Sequence, residues 1–145
     1  MCSSDLIRAA AETADLVVVG THNSRGPFRW WLGSVAEHVA LESPAPVLVI
    51  GSHAPPAADV LERVAVIRRG GPADDVGWQC AGVLAKVVAG RIVDAGTMAS
   101  CGTDALAGAS CAVLTLDRQT KSSDAAADVA DLLSRCPHPL LIVPV

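Results

Sequence analysis

The sequence lacks the excess of positive charge that nucleic-acid-binding surfaces carry. Its 145 residues include 11 Lys and Arg against 15 Asp and Glu, a net charge of −4, and the two signs are interspersed. Binding to a phosphate backbone needs clustered Lys and Arg side chains, because the release of counterions drives it. The composition therefore excludes DNA and RNA from the expected partners.

The sequence also lacks a long hydrophobic run. Its most apolar segment, VLAKVVAG, is interrupted by Lys86 and is far shorter than the roughly 20 residues that cross a bilayer. No basic region followed by an apolar stretch stands at the start. We therefore expect a cytoplasmic protein with no membrane partner.

Motifs of metal and covalent chemistry are missing as well. The five cysteines are an odd number and form no Cys-x-x-Cys, so reduced structural thiols are expected. No pair of histidines has the spacing of metal ligands, and no Gly-x-Ser-x-Gly elbow occurs. We expect no metal site and no catalytic residues, and enzymatic activity is the least supported function, with weak ATP hydrolysis left open.

What the chain does have is apolar residues, 51% of the total, arranged in short runs. Continuous β-branched runs are typical of strands that helices cover on both faces. The runs are Leu16–Val19, Val47–Ile50 and Leu140–Val143, with Val64–Ile67, Ala112–Leu116 and Arg91–Asp94 as weaker members.

Helical patterns lie between these runs. Six apolar residues from Val76 to Val88 recur at i, i+4, i+7, i+8, i+11 and i+12, which predicts a helix with one apolar face. Gly77 and Gly82 interrupt it, each at about 1 kcal/mol relative to alanine. Strands that alternate with helices predict an α/β fold, an open and mostly parallel sheet with helices on both faces.

An internal repeat organises the chain. AEHVALESPAPVLVI (36–50) matches VADLLSRCPHPLLIV (129–143) at an offset of 93, with a shared Pro-x-Pro before the strand. DLVVVG (15–20) matches AVLTLD (112–117) at an offset of 97, which predicts a connecting loop four residues shorter in the second copy. We therefore divide the chain into a first copy (1–51), a linker (52–61) and a second copy (62–145).

The segment GTHNSRGPFRWWLGS, from Gly20 to Ser34, is the candidate binding site. It leads from a predicted strand into a helix whose N-cap is Ser34, with Glu37 at capping-box spacing. The carboxyl ends of parallel strands and the amino ends of helices favour anions, so a phosphate is the expected ligand. His22 and Arg25 are placed to lie over it, and Gly33 allows close backbone approach; the alternative is an ordinary surface connection.

These residues resemble the universal stress protein family. Its signature is Gly-x2-Gly-x9-Gly-Ser/Thr, and this sequence reads Gly20-x2-Asn23-x9-Gly33-Ser34 over a resemblance that covers Ser4 to Gly51. The resemblance implies an adenine nucleotide α-hydrolase-like fold in which this loop holds the phosphates and ribose of ATP. It also implies Gly20, Gly33, Ser34 and Val35 as ligands, while Asn23 departs from the motif.

The second copy resembles the same family with its nucleotide site lost. Binding members usually end the first strand in an Asp that contacts adenine, whereas VAVIRRGG ends in Arg68, Arg69, Gly70 and Gly71. The second phosphate loop, LDRQTKSSD, has no glycine. The first copy starts at its third helix, so either the chain is a truncated tandem protein or its upstream half belongs to a longer product.

Two strands alone cannot satisfy their sheet edges, so the first copy needs a partner. Because the last strand commonly makes the dimer contact in the family, we expect Val47–Ile50 to pair antiparallel with Leu140–Val143 in one sheet of about six strands. A homodimer or protein partner is expected at the last strands, or at Leu16–Val19 if that edge stays open. Two functions remain: a non-catalytic interaction domain with a partial nucleotide site, and an ATP-binding stress-response protein.

Overall fold

Six strands and five helices make up the part of the chain that the structure describes. The computed structural model describes residues 3–20, 34–51, 56, 59–101, 103–119, 122–136 and 138–145. In chain order the elements are α1 (Ser3–Ala11), β1 (Val17–Gly20), α2 (Ser34–Glu42), β2 (Val47–Ile50), β3 (Arg63–Arg68), α3 (Ala73–Val87), β4 (Arg91–Thr97), α4 (Thr103–Ala107), β5 (Cys111–Leu116), α5 (Ser122–Arg135) and β6 (Leu140–Pro144).

All six strands belong to one sheet, in the order β1, β2, β6, β5, β3, β4. Every neighbouring pair is parallel except β2 and β6, which pair antiparallel with Leu48 opposite Leu141. The predicted α/β fold and the antiparallel join between the two last strands are therefore confirmed. The same join places β2 and β6 inside the sheet with both edges hydrogen-bonded, so β1 is the last of the described strands at this end.

The repeat has a different register from the one that sequence matching gives. Val17 lies opposite Val47 in the first half, and Ala112 lies opposite Leu140 in the second. The amides of Val17 and Ala112 also make the same bond, each donating to the carbonyl oxygen of the proline before the last strand at 2.9 Å. The strands β1 and β5 thus correspond at an offset of 95 rather than 97, and the second connection is two residues shorter rather than four.

The error of two residues has a simple physical origin. Side chains alternate between the faces of a strand with a period of two, so a shift by two keeps every apolar residue on its face. Hydrophobic matching cannot distinguish the two registers. The division into copies 1–51 and 62–145 with a linker stays a prediction.

Two apolar cores lie on opposite faces of the sheet. The larger core packs β-strand side chains against α1, α2, α4 and α5. The smaller core packs the other face against α3, with Val64, Val66, Val113 and Leu141 under it. In the described part of the chain, α3 is therefore the helix that covers this second face.

The helix α3 forms where the sequence predicts it, but only part of its apolar stripe, Cys80 and Leu84, packs against the core on the sheet. The buried positions are Gly77, Ala81 and Ala85, whose small side chains let the helix lie close to the strands. The stripe valines are exposed, Val83 to 66% and Val87 to 74%. A Cβ on Gly77 would lie 3.1 Å from the Cγ2 atom of Thr115, which shows how close this contact is.

No helix in the described ranges is both long and apolar enough to cross a membrane.

Candidate functional site

The predicted phosphate loop connects two elements that the structure describes. β1 ends at Gly20 and α2 begins at Ser34, so a helix starts beyond the carboxyl end of a parallel strand, as predicted. Val35 is exposed in the first turn of α2, and a Cβ built on Gly20 would meet no atom within 4 Å. The predicted site residues His22, Asn23, Arg25 and Gly33, and the side chain of Ser34, lie outside the described residues. The site therefore stays a prediction.

The strand that leads into this loop lies at the edge of the sheet. β1 pairs with β2 on one side, and no other described strand pairs with it. Open α/β sheets bind ligands in a crevice between two neighbouring strands whose connections run to opposite sides. The described part of the first half offers only one of those two strands.

The second half contains the two-stranded crevice that is missing from the described part of the first half. β3 and β5 are parallel neighbours, and their connections lead outward through α3 to β4 and through α5 to β6. The carboxyl ends of β3 and β5 therefore form the switch point at which such sheets hold ligands. The residues that occupy it decide whether a ligand can enter.

A carboxylate of the protein occupies the anion position at the end of β3. Asp74 Oδ1 accepts a hydrogen bond from the backbone amide of Arg69, and Oδ2 accepts one from the amide of Gly70, both at 3.0 Å. Gly70 and Gly71 have φ of 86° and 128°, in the left-handed region that favours glycine. Successive amides before a helix start form an anion-binding nest, and this nest already holds the Asp74 side chain.

An ion pair extends from the end of β3 to α5. Arg69 Nη2 lies 2.8 Å from Asp128 Oδ2, and both side chains are largely buried. Arg69 Nη1 is buried and has no hydrogen-bond partner among the described residues. The connection from β5 to α5 is five residues long, against thirteen between β1 and α2. The crevice of the second half is therefore taken up by the protein's own charges and has a short loop.

Sequence reasoning missed the roles of Asp74 and Asp128. In the sequence, Asp74 is only an acidic residue near the start of a predicted helix, and Asp128 has no signal of its own. The order Arg-Arg-Gly-Gly-Pro-Ala-Asp contains the clue for Asp74, because two glycines before a helix with an acid in its first turn can fold the carboxylate back onto their amides. The contact of Asp128 spans 59 positions of sequence and could not be read from the order of residues.

A cavity of about 300 Å³ lies at the junction of the two halves. Its lining includes Arg8 and Glu42 from the first half and Arg118 from the second. Arg8 Nη1 lies 3.7 Å from Glu42 Oε2, and Arg118 Nη2 donates to the carbonyl oxygen of Pro44 at 3.3 Å. Because its cations already contact acceptors of the chain, we assign no ligand to this cavity.

The described cysteines form no disulfide with one another. Cys101, Cys111 and Cys136 are buried, and Cys80 is half-buried. Burial raises the pKa of Cys80 and of Cys136 above the ordinary thiol range. Thiolates are the reactive form, so these side chains act as small apolar groups. Among the residues described, no three His, Cys, Asp or Glu side chains are placed to hold a metal ion.

Alkaline pH is expected to destabilise the protein through Cys111. Burial, and then the neighbouring Cys136, raise the pKa of Cys111 from 9.0 to about 12. Between pH 9 and about 12 the folded thiol keeps its proton, while the unfolded one releases it. The contribution of the protonated thiol to folding stability is therefore complete below pH 9 and is lost as the pH rises toward 12. The loss has a slope of about 1.4 kcal/mol per pH unit.

Urea unfolding of the wild type and of Cys111→Ala at several pH values above 8.5 measures this effect. The variant is expected to be less stable at neutral pH but to lose stability less steeply as pH rises. Equal slopes for the two proteins would contradict the assignment.

Comparison with known proteins bears on both halves. Residues 4–51 match the model of the Universal stress protein family, which confirms the predicted resemblance over that segment. The fold is similar to the crystal structure of a universal stress protein from Archaeoglobus fulgidus DSM 4304, with a TM-score of 0.73 and 15% identity. That likeness covers 97% of this chain, which spans 64% of the other, and shows the fold. No curated protein matches the chain in sequence.

Proposed function

We propose that this chain is a non-catalytic, cytoplasmic interaction domain with the universal stress protein fold and a partial nucleotide site. The observation that carries the proposal is the position of β1 at the edge of the sheet. A nucleotide needs a surface for its base as well as amides for its phosphates. In the first half the described chain places a helix start beside β1 and no strand on the other side of it.

A site with only its phosphate half binds weakly. Association must offset at least about 4 kcal/mol of lost translational and rotational freedom before any affinity appears. A few amide contacts from one helix start do not exceed that cost, because each is exchanged for a hydrogen bond to water. We therefore expect a dissociation constant for ATP above about 1 mM, which corresponds to less than about 4 kcal/mol of binding free energy.

The second half supports the same proposal. A phosphate at the end of β3 would have to displace the Asp74 carboxylate from the amides of Arg69 and Gly70. It would also approach the Arg69–Asp128 ion pair, whose acid repels it. Removing one partner of a largely buried pair leaves an uncompensated charge, so opening this crevice is unfavourable.

The alternative is an ATP-binding stress-response protein that uses the Gly20–Ser34 loop. It is favoured by the start of α2 at Ser34, directly beyond β1, and by the family match over residues 4–51. In this alternative the missing wall of the site is supplied by residues beyond those described.

Calorimetric titration with MgATP tests the two functions. The wild type is expected to give no binding heat with nucleotide in the low millimolar range. The same titration is carried out with Gly33→Val, which adds a side chain where the predicted loop would approach phosphate, and with Arg69→Ala, which removes the cation that a phosphate at the end of β3 would contact.

The variants assign any heat to one half of the chain. Saturable heat that Gly33→Val abolishes and Arg69→Ala retains would establish the alternative and overturn the proposal. Saturable heat that only Arg69→Ala abolishes would place a nucleotide in the second half and would overturn it equally.

A further inference from the structure

Over β1 and β2, one face of the sheet has no described helix packed on it. Val17 and Val19 pack into the larger core, while Val18 points to the opposite face and is 55% exposed. Leu16 is also exposed, and Leu48 is only partly buried. Soluble proteins seldom leave contiguous apolar surface in contact with water without a function for it.

The second half shows what normally covers these positions. At the structural offset of 95, Val18 corresponds to Val113, which is 0% exposed beneath α3. On the last strands, Leu48 corresponds at offset 93 to Leu141, which is also buried. The described part of the first half has no helix equivalent to α3, so its floor of apolar side chains lacks a cover of that kind.

Beside this floor, the residues that precede β1 and β2, Leu141 of β6 and the flank of α3 line a groove of about 370 Å³. Its lining is mostly apolar, with Asp15 and Gln79 as the polar members. Floor residues are Leu16, Pro46 and Leu141, and wall residues are Val76, Val83 and Leu84. A helix that lay beside α3 on this floor would contact both surfaces.

A helix with the exposed apolar stripe of α3 would fit this groove. Val76, Cys80, Val83 and Val87 follow one another at spacings of four, three and four residues, which read the same in both directions. When two such helices lie antiparallel, Val76 faces Val87 and Cys80 faces Val83 of the other helix. A self-complementary surface of this kind is what a two-fold dimer requires.

We propose that a second copy of this chain occupies the groove. The two sheets lie face to face, and the two α3 helices form one antiparallel layer between them. Each α3 covers the bare β1 and β2 of the other protomer with its valine stripe. This inference names the partner of the proposed interaction domain and rests on that proposal.

Charge supports the antiparallel arrangement. α3 carries Asp74 and Asp75 in its first turn and Lys86 in its last. The antiparallel layer brings the acidic start of one helix beside the basic end of the other, and it opposes the two helix dipoles.

The available area sets the strength of the dimer. At 1.5 Å per residue α3 is about 22 Å long, and two helices side by side are about 20 Å wide. This footprint of about 440 Å² per protomer is below the roughly 600–1,000 Å² that stable, specific interfaces bury on each side, so a weak dimer is expected. A dissociation constant of about 10–100 µM is expected for an interface of this class.

Sedimentation velocity over about 1–500 µM protein, which spans that dissociation constant, tests the proposal. The wild type is expected to change from monomer to dimer across the range. Val83→Asp is expected to raise the dissociation constant at least about 100-fold, because the dimer would bury two unpaired carboxylates. Leu6→Asp, at an exposed leucine of α1 on the opposite face of the sheet, is the matched control and should dimerise like the wild type.

A second variant tests the register independently. In Val83→Cys, the new thiol faces Cys80 of the partner, and oxidised glutathione accepts the two electrons as a disulfide forms between protomers. A covalent dimer, joined by two such bridges, should appear on non-reducing gels. The variant that also carries Cys80→Ala should give no cross-linked dimer of this kind.

Three outcomes would overturn the proposal. They are a wild type that stays monomeric throughout the range, a dimer that Val83→Asp does not weaken, and a cross-link that does not depend on Cys80. A dimer that withstands Val83→Asp would have to form elsewhere, such as the open edge of β1. Nucleotide titration is a separate measurement, so failure of the dimer and failure of the proposed function can be told apart.

Discussion

Leu140→Ala is expected to lower the free energy of unfolding by about 2–5 kcal/mol, the range for large-to-small changes at fully buried positions. Leu140 is 0% exposed and belongs to the larger core. It lies opposite Val49 of the first half and Ala112 of the second. A cavity at this position removes contacts on both sides of the join, so it should weaken the whole sheet. Domains of this size have only about 5–15 kcal/mol of stability in total.

Urea unfolding followed by far-ultraviolet circular dichroism and by tryptophan fluorescence measures the change. Leu6→Ala is the matched control, because Leu6 is 57% exposed on α1 and its truncation should alter stability by less than about 0.5 kcal/mol. The two probes should report one shared transition for Leu140→Ala. Separate transitions, or a loss below 1 kcal/mol, would mean that the two halves fold independently.

The join itself could be predicted from the sequence, because it follows from the demands of strand edges. LVVV and VLVI read as strands covered on both faces, and two strands cannot form a stable sheet alone. The repeated Pro-x-Pro marked VLVI and LLIV as equivalent last strands. Pairing these two satisfies both edges within one chain, and the structure has that arrangement.

The orientation of α3 could not be predicted in the same way. Apolar periodicity identifies a helix and a stripe, but it favours the larger side chains as the buried face. In α3 the sheet instead contacts Gly77, Ala81 and Ala85, because small residues allow the helix and strands to approach closely. The valine stripe points outward, beside a floor that no described helix of the first half covers.

The two candidate sites also differ in how far the sequence predicts them. The position of the first loop between a strand and a helix follows from local signals, namely Gly20 before it and Ser34 after it. The filling of the second crevice depends on Asp128, which is far from Arg69 in sequence. Local motifs therefore locate a site, while contacts between distant elements decide whether it is open.

Gly90→Ala is expected to destabilise the protein by about 3 kcal/mol, the upper part of the range for forced overpacking. A Cβ on Gly90 would overlap the carbonyl oxygen of Leu61 and lie 2.8 Å from that of Glu62. Both obstacles are backbone atoms, so no side-chain rotation relieves them. Moving them would strain the hydrogen bond from the Arg91 amide to the Glu62 carbonyl, 2.8 Å long, with which β4 begins.

The same position closes the end of α3. The Gly90 amide donates to the Ala85 carbonyl oxygen at 2.8 Å, and the preceding Ala89 takes the left-handed conformation with φ 54°. This helix ending usually has glycine at the left-handed residue, whereas here glycine stands one position later. Glycine is required at position 90 because the Leu61–Glu62 backbone lies so close to it, and not because of the φ angle of Gly90.

Gly82→Ala is the matched control for this prediction. Gly82 lies inside α3, where a new Cβ would meet only the Cδ1 atom of Ile92, at an ordinary 3.8 Å. Alanine should therefore stabilise the helix by about 0.5–1 kcal/mol through its higher helix propensity. The two variants make the same chemical change and differ only in the atoms that surround it. We therefore expect changes of opposite sign in the free energy of unfolding measured with urea. A loss below 1 kcal/mol for Gly90→Ala would show that the α3–β4 turn can move away from β3, and that the layer carrying α3 is held less firmly than the dimer interface requires.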